Sequence, residues 1–136
     1  MPPRRSDRLG RHLWLRVDVL LRSRRGAGAL LVAAFSTLLV PLPDLSGFSA
    51  LIDSVHVPLF ALVGLLVRSL FGSDWGWGAD FATLVVGALI GAGGELAQFW
   101  IPGRYPSLGD EALDLVGLPL GLVAYHLIAW QRTRSP

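Results

Sequence analysis

Apolar residues gather in four long runs along the chain: Gly26 to Leu42, Ala50 to Gly72, Phe81 to Ile101 and Leu113 to Trp130. The first is closed by Pro41 and Pro43. A helix that crosses a bilayer needs roughly 20 apolar residues, within a range of about 17–25, and all four runs qualify. The segments between them, PDLSGFS, SDWGWGAD and PGRYPSLGDEA, are short, so sequential helices are antiparallel neighbours. The pattern predicts an all-α fold, an integral membrane four-helix bundle over residues 26–130. A basic cytoplasmic segment, 1–25, precedes it and a cytoplasmic tail, 131–136, follows.

Composition supports lipid as the solvent. Of 136 residues, 52% are hydrophobic and 16% charged, and the mean hydropathy is +0.52. A soluble domain carries about 25% charged residues, and a chain of this length cannot bury enough surface to hide the difference. There is no cysteine, which excludes a disulfide framework and thiolate metal sites.

Charge sets the orientation. Residues 1–25 hold eight arginines and two aspartates, a balance of +6, and residues 26–136 hold four arginines and eight acids, a balance of −4. A basic block ahead of a hydrophobic body is an orientation signal rather than a nucleic-acid surface. Arg132 and Arg134 follow the last run, the first loop has no arginine and the third has only Arg104. Both termini are therefore expected in the cytoplasm. The first run is longer than a signal peptide's apolar core and has no A-x-A-like site after it, so it reads as an uncleaved span. Arg68 is expected to snorkel to the inner interface. Trp75, Trp77 and Trp130 belong at that interface, with Trp75-Gly76-Trp77 as a turn, and Trp100 and Tyr105 at the outer one. Two readings stand for RLGRHLWLRVDVLLRSRR. Leu9, Leu13, Val17, Leu20 and Leu21 fall at helical spacing, which suits an amphipathic helix on the anionic inner leaflet. The other reading is a topogenic charge block with incidental leucines.

The stretch GELAQFW places Glu95 and Gln98 where a membrane helix should still be apolar. With the topology above they lie near the outer end of the third span, Glu95 roughly 9 Å from its end at about 1.5 Å per residue. Asp53 and His56 share a face at the outer end of the second span, and Asp110 and Asp114 share one at the start of the fourth. Arg104 lies in the loop between. Asp53, His56, Glu95, Gln98, Arg104, Asp110 and Asp114 are thus expected in one outer layer, away from Arg68 and the inner-loop acids Asp74 and Asp80. Ionisable groups in membrane helices pair with one another and mark function. Gly87, Gly91 and Gly94 lead up to Gln98, and Gly117 and Gly121 continue the face of Asp110 and Asp114. Such small-residue stripes let helices approach closely, here the third and fourth spans.

The order Asp53-x-x-His56, Glu95-x-x-Gln98, Pro102-x-Arg104, Asp110 and Gly117, within LIDSVHVPLF and GELAQFWIPGRYPSLGDEALDLVGLPLG, resembles the VanZ-like family over about residues 44–128. The family usually has asparagine at the position of Asp114, often lysine at Ser54 and an aromatic at Val57. The resemblance implies a small multi-pass membrane protein in a cell-envelope context, with a link to glycopeptide (teicoplanin-type) resistance and no established reaction.

Three chemistries suit the cluster of Asp53, His56, Glu95, Gln98, Arg104, Asp110 and Asp114. Arg104 suits a bidentate clamp on a phosphate or carboxylate of a lipid-linked cell-wall precursor. His56 beside a carboxylate suits general-base work. His56, Glu95 and the aspartates suit a divalent metal. A buried network that only fixes helix register is the plain alternative. The expectation is an outward-facing pocket for a lipid-linked or envelope ligand. A membrane enzyme acting on a lipid or isoprenoid head group comes second. A transporter, which would place charges near the midplane, comes third. The residues leave catalysis, cofactor and oligomeric state open.

Overall fold

The computed structural model describes residues 23–38, 54–71, 76–102 and 105–134. Among them the order is α1 (Arg24–Leu38), α2 (His56–Leu70), α3 (Gly76–Gln98) and α4 (Leu108–Arg134), all helical as the apolar runs predict. Residues 1–22 of the basic segment, Asp53, Asp74, Trp75 and Arg104 lie outside the described residues.

The helix bounds differ from the runs in an instructive way. α3 opens at Gly76 instead of Phe81, so Trp77 sits in a helical turn and not in an interfacial loop. α4 opens at Leu108 instead of Leu113 and continues through Trp130 to Arg134. Its start is set by a cap: Ser107 Oγ accepts from the Asp110 backbone N–H at 3.3 Å. Asp110 and Glu111 then fall in the first turn, where acids are favoured by the exposed N–H groups and the helix dipole. Ser23 caps α1 in the same way, accepting from Gly26 N–H at 2.8 Å. α3 ends at Gln98 instead of Ile101, and the chain leaves through turns in which Phe99, Trp100 and Ile101 donate three residues back. Pro102 follows and cannot continue the helix.

α3 has 23 residues and α4 has 27, lengths of roughly 34 and 40 Å at about 1.5 Å per residue. Both are long and apolar enough to cross a membrane. α1 and the described α2 have 15 residues each.

Packing centres on α2 and α4. The core is Ala34 of α1, Phe60, Val63 and Val67 of α2, and Leu118 of α4. Close approach of α2 to α4 depends on glycine. A methyl group on Gly121 would collide with the Ala61 carbonyl, one on Gly117 would meet the Val57 carbonyl, and one on Gly64 the Leu118 carbonyl. The stripe on α4 therefore faces α2, not α3 as its sequence position suggested. On α3, Gly87 makes room for the Leu118 side chain and Gly91 for Glu111, Asp114 and Phe60. Outside this thin core the surface is apolar: Phe81, Leu89 and Leu96 of α3 are 70%, 67% and 62% exposed.

One end of the bundle, where α2 ends, α3 begins and α4 nears its close, is tied by polar groups. Arg68 donates from Nε to Asp80 Oδ1 at 2.6 Å. Its guanidinium stacks on Tyr125, 4.5 Å from the ring centroid. His126 Nε2 lies 3.1 Å from Asp80 Oδ2. Arg68 is buried, so it is paired inside the bundle rather than reaching out alone. Asp80 lies within α3 rather than in a loop.

Candidate functional site at the opposite end

At the other end α2 begins, α3 finishes and α4 begins. His56, the first residue of α2, is buried there. Its Nδ1 is 2.7 Å from Asp114 Oδ1, and its Nε2 is 3.9 Å from Asp110 Oδ2. The two aspartates are one helical turn apart on α4, so a single face of that helix presents both to one imidazole. Asp114 is almost wholly buried. Without the His56 partner, a carboxylate so placed would be costly to bury.

Glu95 makes a different contact. Its Oε2 accepts the Ser107 backbone N–H at 2.5 Å. In a capping box the acid three residues into the helix returns to the capping residue's N–H. Here a carboxylate from another helix takes that donor and fastens the end of α3 to the start of α4. Glu95 and Gln98 both occupy the last turn of α3, nearer the helix end than a span running to Ile101 implies. Gln98 is buried, and its side-chain nitrogen has no partner among the described residues.

The structure thus brings His56, Asp110 and Asp114 into one contact set, with Glu95 at the α3–α4 junction and Gln98 one turn-position further on the same helix. It adds Glu111, which the sequence reading did not single out. Glu111 Oε2 is buried with no hydrogen-bond partner among the described residues. A methyl placed on Gly91 would lie 2.8 Å from that oxygen and 3.0 Å from Asp114 Oδ2. Two carboxylate oxygens therefore converge over the Gly91 backbone. The clue available in the sequence was the three-residue spacing of Glu111 and Asp114, which places them on one face. Among the described residues no group of three or more histidine, aspartate or glutamate side chains is arranged to hold a metal ion.

Chemically, the described part of the site offers four carboxylates and one imidazole. It is rich in acceptors, and its ordered imidazole is held through one nitrogen by Asp114. Comparison of the chain with protein-family models, with curated proteins and with solved structures found no match in any of the three.

Proposed function

We propose that this chain is an integral membrane protein of the VanZ-like type, a four-helix bundle in the cell membrane with both termini cytoplasmic. The His56 cluster then lies at the outer side and takes the polar head of a lipid-linked or envelope ligand, with altered sensitivity to teicoplanin-type glycopeptides as the physiological outcome. The bilayer placement is supported by exposure. Only 33% and 22% of the apolar windows of α3 and α4 are buried in the bundle, whereas the core helix of a soluble protein is mostly buried. Trp77 and Trp130 are exposed at one end and Trp100 and Tyr105 at the other, as interfacial aromatics are. The arginine distribution supports an outward-facing His56 end.

The observation that carries the ligand reading is the meeting of His56, Asp110, Glu111 and Asp114 where three helices end. Charge narrows the ligand class. Counting Glu95 at the junction beside them, four carboxylates against one imidazole suit a head group that donates hydrogen bonds, such as an amine or a hydroxyl-rich sugar. A phosphate would depend on Arg104. Native mass spectrometry of protein drawn directly from membranes tests this. Wild type should carry a specific adduct, and Glu111→Gln should lose it while remaining folded. A wild type with no specific adduct, or an unchanged adduct in Glu111→Gln, argues against the ligand site.

One observation favours a membrane enzyme as the second reading. Asp114 orients the imidazole through Nδ1, and Nε2 stands 3.9 Å from Asp110, beyond hydrogen-bond reach. That is the arrangement of an oriented general base. Turnover of a lipid head group that disappears in His56→Gln would favour the enzyme over a binding protein.

A further inference from the structure

The end tied by Arg68 and Asp80 has a feature that the His56 cluster does not use. Beside the joint, a groove of about 450 Å³ is lined by Asp80, Leu122, Val123, His126, Leu127 and Trp130. Five of these six lie on one face of α4, and the sixth, from α3, closes the groove at its polar end. Val123, Leu127 and Trp130 are each about half exposed. The walls are apolar, and among the described residues the one formally charged lining group is the Asp80 carboxylate.

That carboxylate still has acceptor capacity. An ionised carboxylate offers about four acceptor positions. Arg68 Nε takes one on Oδ1, and a single His126 nitrogen is shared between Oδ1 and Oδ2 at 3.2 and 3.1 Å. The Asp80 side chain is 21% exposed. A hydrogen-bond donor entering along the groove therefore meets an acceptor. At the rim, the Arg134 guanidinium stacks on Trp130 at 3.9 Å. Side chains lean toward the N-terminus of their helix, so this stacking draws the cation back to about the level of Trp130. Trp130 is one turn from His126, roughly 6 Å along the axis. An acid within the groove and a cation about one turn away complement a zwitterionic head group.

We propose that this groove holds one inner-leaflet phospholipid with a primary ammonium head group, as in phosphatidylethanolamine. An acyl chain lies along Leu122, Val123 and Leu127, the phosphate faces Arg134 at the rim, and the ethanolamine arm folds back about one turn so that its ammonium donates to Asp80. A lipid is the occupant because this face meets the acyl region once the chain spans the bilayer, and the inference rests on that placement. A choline head group has no N–H to donate. An anionic glycerol head group offers hydroxyl donors but no cation, and sets its own negative charge against Asp80.

Delipidated full-length protein in detergent, titrated with phosphatidylethanolamine, phosphatidylcholine or phosphatidylglycerol of identical chains, provides the test by native mass spectrometry. One charge-assisted hydrogen bond predicts about a tenfold preference for the ethanolamine lipid over the choline lipid. Val123→Trp, a change at an exposed position that fills the groove without touching the Asp80 joint, should abolish the preference. Leu127→Trp should do the same from a second wall position. Equal binding of the lipids, a preference for phosphatidylglycerol, or an undiminished preference in both tryptophan variants would overturn the site. Fractionation before purification separates the two levels of the reasoning. Recovery of the chain in the soluble fraction overturns the bilayer placement and the lipid site together. Recovery in membranes without a lipid preference overturns the lipid site alone.

Discussion

Two glycines in similar-looking stripes should respond differently to the same substitution. Gly121→Ala adds a methyl group that runs into the Ala61 carbonyl of α2 and lies 2.7 Å from the Leu65 nitrogen. Both are helix backbone atoms, so neither can rotate away, and relief requires α2 and α4 to separate. Overpacking of this kind costs about 1–3 kcal/mol, and the upper end applies because the obstacle is rigid. Alanine returns about 1 kcal/mol of helix propensity relative to glycine. The net loss is therefore about 2 kcal/mol, on the order of a 30-fold change in the folding equilibrium. Gly91→Ala also meets close neighbours, but the nearest is Glu111 Oε2 at 2.8 Å, the far end of a flexible side chain. Its displacement roughly offsets the propensity gain, and the variant should stay within about 0.5 kcal/mol of wild type. Reversible unfolding in mixed micelles, followed by circular dichroism, measures both. A Gly121→Ala protein as stable as wild type beside a destabilised Gly91→Ala protein would refute the packing account.

Three further outcomes follow from the polar joints. Asp114→Asn keeps an oxygen that accepts from His56 Nδ1 and should stay within about 1 kcal/mol of wild type, while Asp114→Ala strands the buried imidazole and should lose about 3 kcal/mol; the same unfolding titration reads both. Glu95→Gln keeps an acceptor for the Ser107 N–H, whereas Glu95→Ala leaves it unpaired and should cost about 1–3 kcal/mol, with faster hydrogen exchange confined to the start of α4. Arg68→Lys loses the Nε donor and the planar stack on Tyr125, so it should cost about 2 kcal/mol and shift the Tyr125 fluorescence almost as much as Arg68→Ala does.

The helices were legible in the sequence because lipid-length apolar runs leave little choice. Their starts were less so. GWGAD reads as a turn by local composition, with two glycines and an acid, yet it forms the first turn of α3. Asp80 is tolerated in that turn because Arg68 and His126 come to it from other helices, and no local pattern carries that information. The start of α4 was missed for a related reason. LGDEA looks like loop by polarity, but Ser107 caps it and its acids suit a helix N-terminus. For the site, the shared face of Asp110 and Asp114 was readable from spacing, and their placement at one end with His56 from topology. Partner choice was not. Spacing does not say that Asp114 takes His56 while Glu95 takes a backbone N–H, because this depends on the angle at which α3 meets α4.

The two polar joints together explain how so thin a core holds one arrangement. Glycines at four-residue spacing allow α2 and α4 to approach, but they do not set register well, because a slide of one turn puts Gly117 where Gly121 was. The His56 joint resists that slide only in part, because Asp110 stands one turn before Asp114 and would take its place beside His56. The joint at the other end has no such repeat: a slide of about 5.4 Å, one helical turn, would take Tyr125 off the buried Arg68 guanidinium and His126 away from Asp80. That joint should therefore hold the register, and its loss together with that of the His56 joint should release it. The double change His56→Leu with Asp114→Leu, and the triple change Asp80→Leu with His126→Leu and Arg68→Leu, each remove one joint together with the partners it joins. The chain has no cysteine, so spin labels on introduced cysteines at exposed Leu62 of α2 and Leu120 of α4 report one distance cleanly. Wild type and the protein lacking only the His56 joint should give one narrow distribution, and the protein lacking both should show a broadened distribution or a second population. A single narrow peak after both joints are removed would mean that glycine packing fixes register by itself, and the polar residues at the His56 end would then be left without a structural reason for being there.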